Sequence, residues 1–357
     1  MGVAMLHLPF FLLAHLITLL LPFAANGYSP PYELAMYLSS IFYTLAGVYF
    51  LRKLLLKHFT EKITAWTIIL VVFGTNLFFY STLRTGTSHT YSFALITASL
   101  FFYEQWHEKN TWKTTIIIGI LSGFIVLIRP TNVIIALVFI LYGITNFRAL
   151  KDKLSVFKAH YPKLLLILIV AFMVLFPQMV YWKWITGDWI YYSYKDEGFF
   201  FSDPELIKGL FSFRKGWLLY TPVMFFSVLG MIWLYQNQRK YMLAVPIFFL
   251  INIYIVYSWW AWWYGGSFSS RPMIDTYGLM AIPLAAFLKE TIHQKKWIIV
   301  TIKTIFIALV ILNLWQSKQY KRGIIHTDGM TKQSYLRSFF SWNYPKNYWK
   351  LNRPARL

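Results

Sequence analysis

The sequence predicts an all-α fold, a polytopic bundle of membrane-spanning helices, and three observations predict it. Of 357 residues, 58% are apolar and 13% charged, against roughly 45–50% and about 25% in soluble chains. The apolar residues gather in runs suited to crossing about 30 Å of hydrocarbon. Lys and Arg are shared unequally between alternate loops, as fixed membrane orientation requires. This composition excludes disorder, collagen and coiled coil. The absence of Cys removes disulfides, thiolate metal sites and a Cys nucleophile. A formal charge of +21 would point to nucleic acid or anionic lipid in a soluble chain. In a membrane chain its distribution matters more, and no nucleic-acid partner is expected.

In chain order, the first apolar segment, 3 to 24, carries His7, Pro9, His15 and Pro22. Those residues suit a helix lying in the interface, or partly re-entrant, better than a clean span, and no Lys or Arg precedes it to make a signal peptide. Ten spans follow, at 34 to 51, 63 to 80, 88 to 103, 114 to 128, 131 to 145, 164 to 185, 217 to 235, 241 to 260, 273 to 288 and 297 to 315. Three of them, 88 to 103, 114 to 128 and 131 to 145, are short, at about 20–24 Å of helix. They need local thinning or burial among neighbours. Gly119 and Gly123 form a G-x-x-x-G pair that either permits close helix approach or arises by chance in an apolar run.

Loops on one side hold sixteen Lys and Arg against five acids, and those on the other hold eight against seven. The first side is therefore assigned to the cytoplasm. Residues 1–315 read as one membrane domain and 316–357 as a basic, aromatic tail. Parity of crossings puts that tail on the outer face.

Polar residues that apolar composition does not explain gather on the outer side, which favours a surface site over an ion-coupled transporter with midplane charges. In RTGTSHTY, residues 84–91, His89 sits at the mouth of a span, placed either to act as a base or phosphate ligand or simply to be solvated beside a capping Ser88. In LIRPTN, residues 127–132, Arg129 has no acidic neighbour in sequence. Its fork suits phosphate, whether of a substrate or of lipid, and Thr131 or Asn132 reads as a helix cap. In SWWAWWYGGSFSSRPMID, residues 258–275, the Trp residues suit an interfacial belt. The Gly-Gly pair, Arg271 and Asp275 remain unexplained by it, and such a loop brings backbone N–H groups and a guanidinium to an anion. The long outer loop 186–216 holds Asp196 and Glu197; they read as a metal-binding or acid–base pair, or as solvated carboxylates. No nucleotide-binding motif and no H-E-x-x-H is present.

At GYSPPYELA (27–35), the span ending in LIRPTN, FSFRKGWLLYTP (211–222) and WYGGSFSSRPMID (263–275), the sequence resembles the polytopic C-type glycosyltransferases that use polyprenyl-phosphate sugars. The resemblance is to a bacterial branch similar to protein O-mannosyltransferases and to the aminoarabinose and galacturonic acid transferases, and it covers most of residues 1 to 330. It implies an enzyme of the bacterial inner membrane and cell envelope. Such an enzyme would move a hexosyl or pentosyl group from a polyprenyl-phosphate donor to an outer-face acceptor, whether glycan, lipid or protein. It further implies that Arg129 and Arg271 hold the donor phosphate, that His89 lines the cavity, and that Asp275 is either the local acid or the partner of an ion pair. A divalent cation is left open.

The family's acidic pair on its first outer loop has no counterpart before Glu33, and MGVAMLHLPFFLLAH resembles the interfacial helix that follows that loop. The resemblance therefore implies a chain that starts late and leaves open whether this polypeptide acts alone. A lipid-linked saccharide flippase and a non-catalytic membrane scaffold stand as alternatives.

Overall fold

In a computed structural model, residues 1–352 are described; 353–357, the end of the predicted basic tail, lie outside the described residues. The described chain is helical, with no strand beyond one isolated antiparallel bridge between Phe199 and Trp259. The elements run α1 Gly2–Leu20, α2 Pro30–Leu56, α3 Glu61–Phe73, a π-helical turn Phe79–Leu83, α4 Ser88–Glu108 and α5 Trp112–Ile128. A tight helical turn Pro130–Ile135 leads into α6 Ala136–Leu141, followed by α7 Phe147–Ala159, α8 Tyr161–Thr186, α9 Leu206–Phe211, α10 Trp217–Tyr220, α11 Val223–Gly230 and α12 Leu234–Asn237. Then come α13 Ala244–Ser258, a tight turn Arg271–Thr276, α14 Tyr277–Thr291, α15 Lys296–Lys321, α16 Lys332–Ser338 and α17 Tyr348–Leu351.

Against the ten predicted spans, five helical stretches among the described residues are long and apolar enough to cross a membrane: α1, α2, α8, the stretch Arg239–Ser258 and α15. The segment predicted to be interfacial, α1, is one of them. Shorter apolar ones lie at Trp112–Ile128, Pro130–Leu141 and Val223–Asn237. The chain is a multi-pass membrane protein. Its centre is α4 and α14, buried along almost their whole length, while α8 turns large apolar side chains such as Leu168, Phe172 and Met173 outward. Burial on all sides requires the hydroxyls of α4 to be satisfied locally. Thr97 and Ser99 accordingly donate to the carbonyls of Phe93 and Ile96, at 2.6 and 2.7 Å. Gly278 faces Thr97, and a Cβ there would lie 2.1 Å from its Oγ1, so the two central helices touch closely just inside the ends that carry His89 and Asp275.

The N-terminal segment is one uninterrupted helix that includes Pro9, with no fold-back within it. It pairs antiparallel with the first half of α2: the Tyr43 hydroxyl donates to the carbonyl of Leu6 (3.1 Å), and His15 Nδ1 meets the Tyr32 hydroxyl (2.6 Å). The register of α2 on α4 is fixed by Ser39–Tyr91 (2.9 Å) at one end and Lys57–Glu104 (3.3 Å) at the other. The first turns of α2 therefore extend beyond the start of α4, and α1 packs on that extension.

The amphipathic α7, with Lys158 in its last turn and no buried residue, lies at the end opposite His89. Nearby, the fully buried Glu104 is held by His58 Nε2 (2.5 Å), Tyr241 Oη (2.6 Å) and Lys57. Sequence position put Glu104 in a loop; its location beside α2 and Tyr241 makes it a buried clamp.

Gly119 and Gly123 line the contact of α5 with α8. A Cβ at Gly123 would stand 2.6 Å from Val174 Cβ and 2.9 Å from the Ala171 carbonyl oxygen. Gly123→Val is therefore expected to cost about 1–3 kcal/mol through overpacking, read as a lower thermal midpoint in detergent, with Gly123→Ala milder.

Candidate functional site

Three separate sequence segments meet at one end of the bundle. Pro130 ends α5 because it lacks an N–H and disfavours helix at the residue before it, and Arg129 there is extended (φ −149°, ψ 108°). Asp275 lies in the tight turn before α14 and is 3% exposed; His89, in the first turn of α4, is 2% exposed. A carboxylate so buried must be paired and hydrogen-bonded. Asp275 Oδ1 accepts from His89 Nδ1 at 2.9 Å, and Oδ2 accepts from Asn132 Nδ2 at 3.0 Å with Arg129 Nε at 3.4 Å.

His89 Nε2 lies 3.2 Å from Arg129 Nη1. Guanidinium nitrogens only donate, so Nε2 accepts and the ring carries its proton on Nδ1, toward Asp275. The carboxylate thus fixes the imidazole tautomer, and imidazole and carboxylate together fix the guanidinium. Arg129 remains about one-fifth exposed at its side chain, with donors left for a ligand.

Arg271 lies within electrostatic reach of His89, Tyr80, Tyr264 and Tyr320. Its Nε is buried without a hydrogen-bond partner among the described residues, as are Thr87 Oγ1 and Ser269 Oγ. Orphaned donors are rare in folded proteins and ask for a ligand. Arg84, also near Tyr80 and Tyr320, donates from Nη1 to the carbonyl of Gly266. The site thus sets one carboxylate against Arg129 with Arg271 nearby, and Arg84 braces the loop beside them.

The loop between α13 and α14 is held under strain. Tyr264 and Ser269 are non-glycine residues with φ +56°, a left-handed conformation costing roughly 1–2 kcal/mol each. Asn76 offsets this by donating to the carbonyls of Phe268 (3.2 Å) and Ser270 (3.4 Å), and Tyr80 Oη accepts from Phe268 N at 2.9 Å. Tyr277 in turn donates to Asn76 Oδ1 at 2.6 Å. Backbone held in sparsely populated regions by such clamps is commonly found at ligand sites.

Of the residues singled out in sequence, His89, Arg129 and Asp275 are in contact and Arg271 stands beside them. Asp196 and Glu197 are exposed on the loop after α8 and form no ion pair with that cluster. Their loop is pinned to the end of α13 by Phe200 N to Ser258 O (2.6 Å) and Trp260 N to Gly198 O (3.0 Å). Among the described residues no three His, Asp or Glu gather as metal ligands. Asn132 does not cap a helix; its amide points inward and also reaches Ser92 Oγ at 3.2 Å. Thr87, not Ser88, occupies the cap of α4 and makes no side-chain cap bond. Arg84, Asn76 and Tyr80 are the participants that sequence reasoning left out. Arg84 was visible as an unpaired cation in RTGTSHTY, whereas nothing local marked Asn76 or Tyr80.

The tail folds over this same end. Arg214 stacks on Trp263, 3.6 Å from the ring centroid, and pairs with Asp328 at 3.1 Å, while the buried Lys215 donates to the carbonyl of His326 at 3.2 Å.

Fold and site together define a multi-pass helical membrane protein with a cluster of arginines around a buried His–Asp pair at one end. Residues 29–181 match the family model described as dolichyl-phosphate-mannose-protein mannosyltransferase, and that match supports a membrane glycosyltransferase. The matched segment holds Arg84, His89, Arg129 and Asn132, and stops short of Arg271 and Asp275. No curated protein and no solved structure gives a significant match.

Burial pushes the Lys215 amine down to about 7. From that value up to the ordinary lysine range the unfolded chain binds more protons than the folded one, so native stability rises with pH across the window. Lys215→Met is accordingly expected to raise the thermal midpoint at pH 7. The advantage over the parent protein should shrink steadily toward pH 10 in pH-resolved melts.

Proposed function

We propose that this protein transfers a glycosyl group from a polyprenyl-phosphate-linked sugar to an acceptor hydroxyl on the outer face of the membrane. One observation carries the reading: Arg129 is held against the buried Asp275 with Arg271 beside the pair, and the Nε of Arg271 is buried and unpaired among the described residues. The match to a family named for dolichyl-phosphate mannose enzymes supports a lipid-phosphate donor. The loop charge bias supports an outer-face site, and in that orientation the tail lies on the outer face with it.

In the proposed reaction the acceptor oxygen attacks the anomeric carbon as the bond to the phosphate oxygen breaks. That oxygen leaves with the electron pair, and the arginines stabilise the charge that develops on the phosphate. Asp275 serves as a positioning residue, because both its oxygens are occupied and its burial keeps it from an acceptor. His89 likewise positions Arg129, since its Nε2 is already engaged. The acceptor's proton passes to a carboxylate of the 187–205 loop, where Asp196 and Glu197 are exposed and carry no ion pair among the described residues. The family resemblance supports a hexosyl or pentosyl group and a bacterial inner membrane as the setting.

Arg129→Gln and Arg271→Gln should each lower kcat for transfer from a polyprenyl-phosphate sugar by on the order of 10²-fold or more, with membrane insertion intact. Asp275→Asn should lower kcat through a misaligned Arg129, and Asp196→Asn with Glu197→Gln should move the pH profile of kcat. Unchanged transfer in both arginine variants would remove the phosphate-site reading.

A further inference from the structure

At the end of the bundle opposite Asp275, a cavity of about 210 Å³ opens between the start of α3, the end of α14 and the first turns of α15. Trp66, Leu288, Ile292 and Phe306 are among its apolar walls, and Lys62 and Lys303 line it from two different helices. Lys62 and Ile292 are exposed and Lys303 is half-buried, so the groove opens outward beside the chain ends of α3 and α15.

Neither amine has an ion pair or hydrogen bond among the described residues. The carboxylates next to the groove in sequence are engaged elsewhere: Glu61 with Arg52 at 3.8 Å, and Glu290 as acceptor from Asn237 Nδ2 at 2.8 Å. Further positive charge sits at the start of α15, on Lys295 and Lys296. A helix start carries partial positive charge and disfavours cations. Lys62 in the first turn of α3, and Lys295 and Lys296 at the start of α15, therefore make an arrangement that a neighbouring anion relieves. Lys303 lies a further two turns along α15, about 10 Å past Lys296. Charge at that depth in an apolar span is costly and asks for a partner. Its stem runs in the groove that Lys62 also lines, and no carboxylate meets it there.

We infer that this groove holds an anionic phospholipid of the adjoining leaflet, with its phosphate between Lys62 and Lys303 and an acyl chain along Trp66, Leu288 and Phe306. The loop charge bias assigns that leaflet to the cytoplasmic side, where anionic head groups attract basic residues next to a span. Two amines without counter-charge select an anionic head group over a zwitterionic one, which carries its own cation. The apolar walls select a lipid over free phosphate, which leaves them uncovered. The site stands at the far end of α14 from the arginine cluster and does not depend on the transfer reaction.

The test uses the full chain, purified free of lipid in detergent and titrated with phosphatidylglycerol or with phosphatidylcholine of the same acyl chains, the bound lipid being counted by native mass spectrometry. The first phosphatidylglycerol should bind roughly tenfold tighter than the first phosphatidylcholine, since two amines contribute. In Lys62→Gln with Lys303→Gln that preference should fall to about twofold or less, whereas Lys151→Gln with Lys158→Gln, which removes the same charge from α7 at the same end of the bundle, should keep it. Lys62→Gln alone, at an exposed position, should lower the preference about threefold and reads out the site where the double variant does not fold. Glycerol 1-phosphate, a head group without chains, should leave phosphatidylglycerol bound. No preference in the parent, a preference kept in both groove variants, an equal loss in the α7 variant, or displacement by glycerol 1-phosphate would each overturn the assignment.

Discussion

The organising constraint is the need to satisfy one buried carboxylate. Asp275 sits at the head of the central helix α14 with almost no access to solvent, where an unpaired charge would cost far more than the fold can spare. Its solution draws in α4 through His89 and the α5 exit through Arg129 and Asn132. Three segments far apart in sequence are thereby locked at one level of the bundle. The lock leaves Arg129 partly exposed and the Nε of Arg271 without a partner among the described residues, so the interaction that orders this end also leaves guanidinium donors unspent.

That arrangement depends on the packing beneath it. α4 and α14 approach closely because Gly278 offers no Cβ to Thr97, and buried hydroxyls along α4 are satisfied within their own helix. Polar residues at the two ends are thus held by an interior that makes few polar demands across helices. At the opposite end a second buried carboxylate, Glu104, performs a comparable tie among α2, α4 and Tyr241. The two clamps brace α4 from both sides, and only the one at Asp275 leaves guanidinium donors unspent.

Much of the site was legible in the chain. Arginines without acidic neighbours, placed between apolar runs, stood out because charge near a membrane is expensive and needs a reason. Asn132 was misread as a cap because local spacing reports only local partners, and its actual partner lies 143 positions away. Asn76 and Tyr80 escaped notice for the same reason: an amide or a phenol within an apolar run looks like packing until the strained loop it supports is seen. Asp196 and Glu197 illustrate the converse, a conspicuous pair that the fold leaves exposed.

By itself the sequence determined the helical class, the charge asymmetry between loops and the arginines worth watching, because each depends on composition or on spacing of a few residues, whereas its ten spans became five long helices and several short or broken ones. Tertiary structure decided the tautomer of His89, the full engagement of Asp275, the unpartnered Nε of Arg271, the continuity of α1 and the return of the tail over the site. Those depend on which distant segments share a few ångströms of space, and the linear order of residues does not encode that proximity directly.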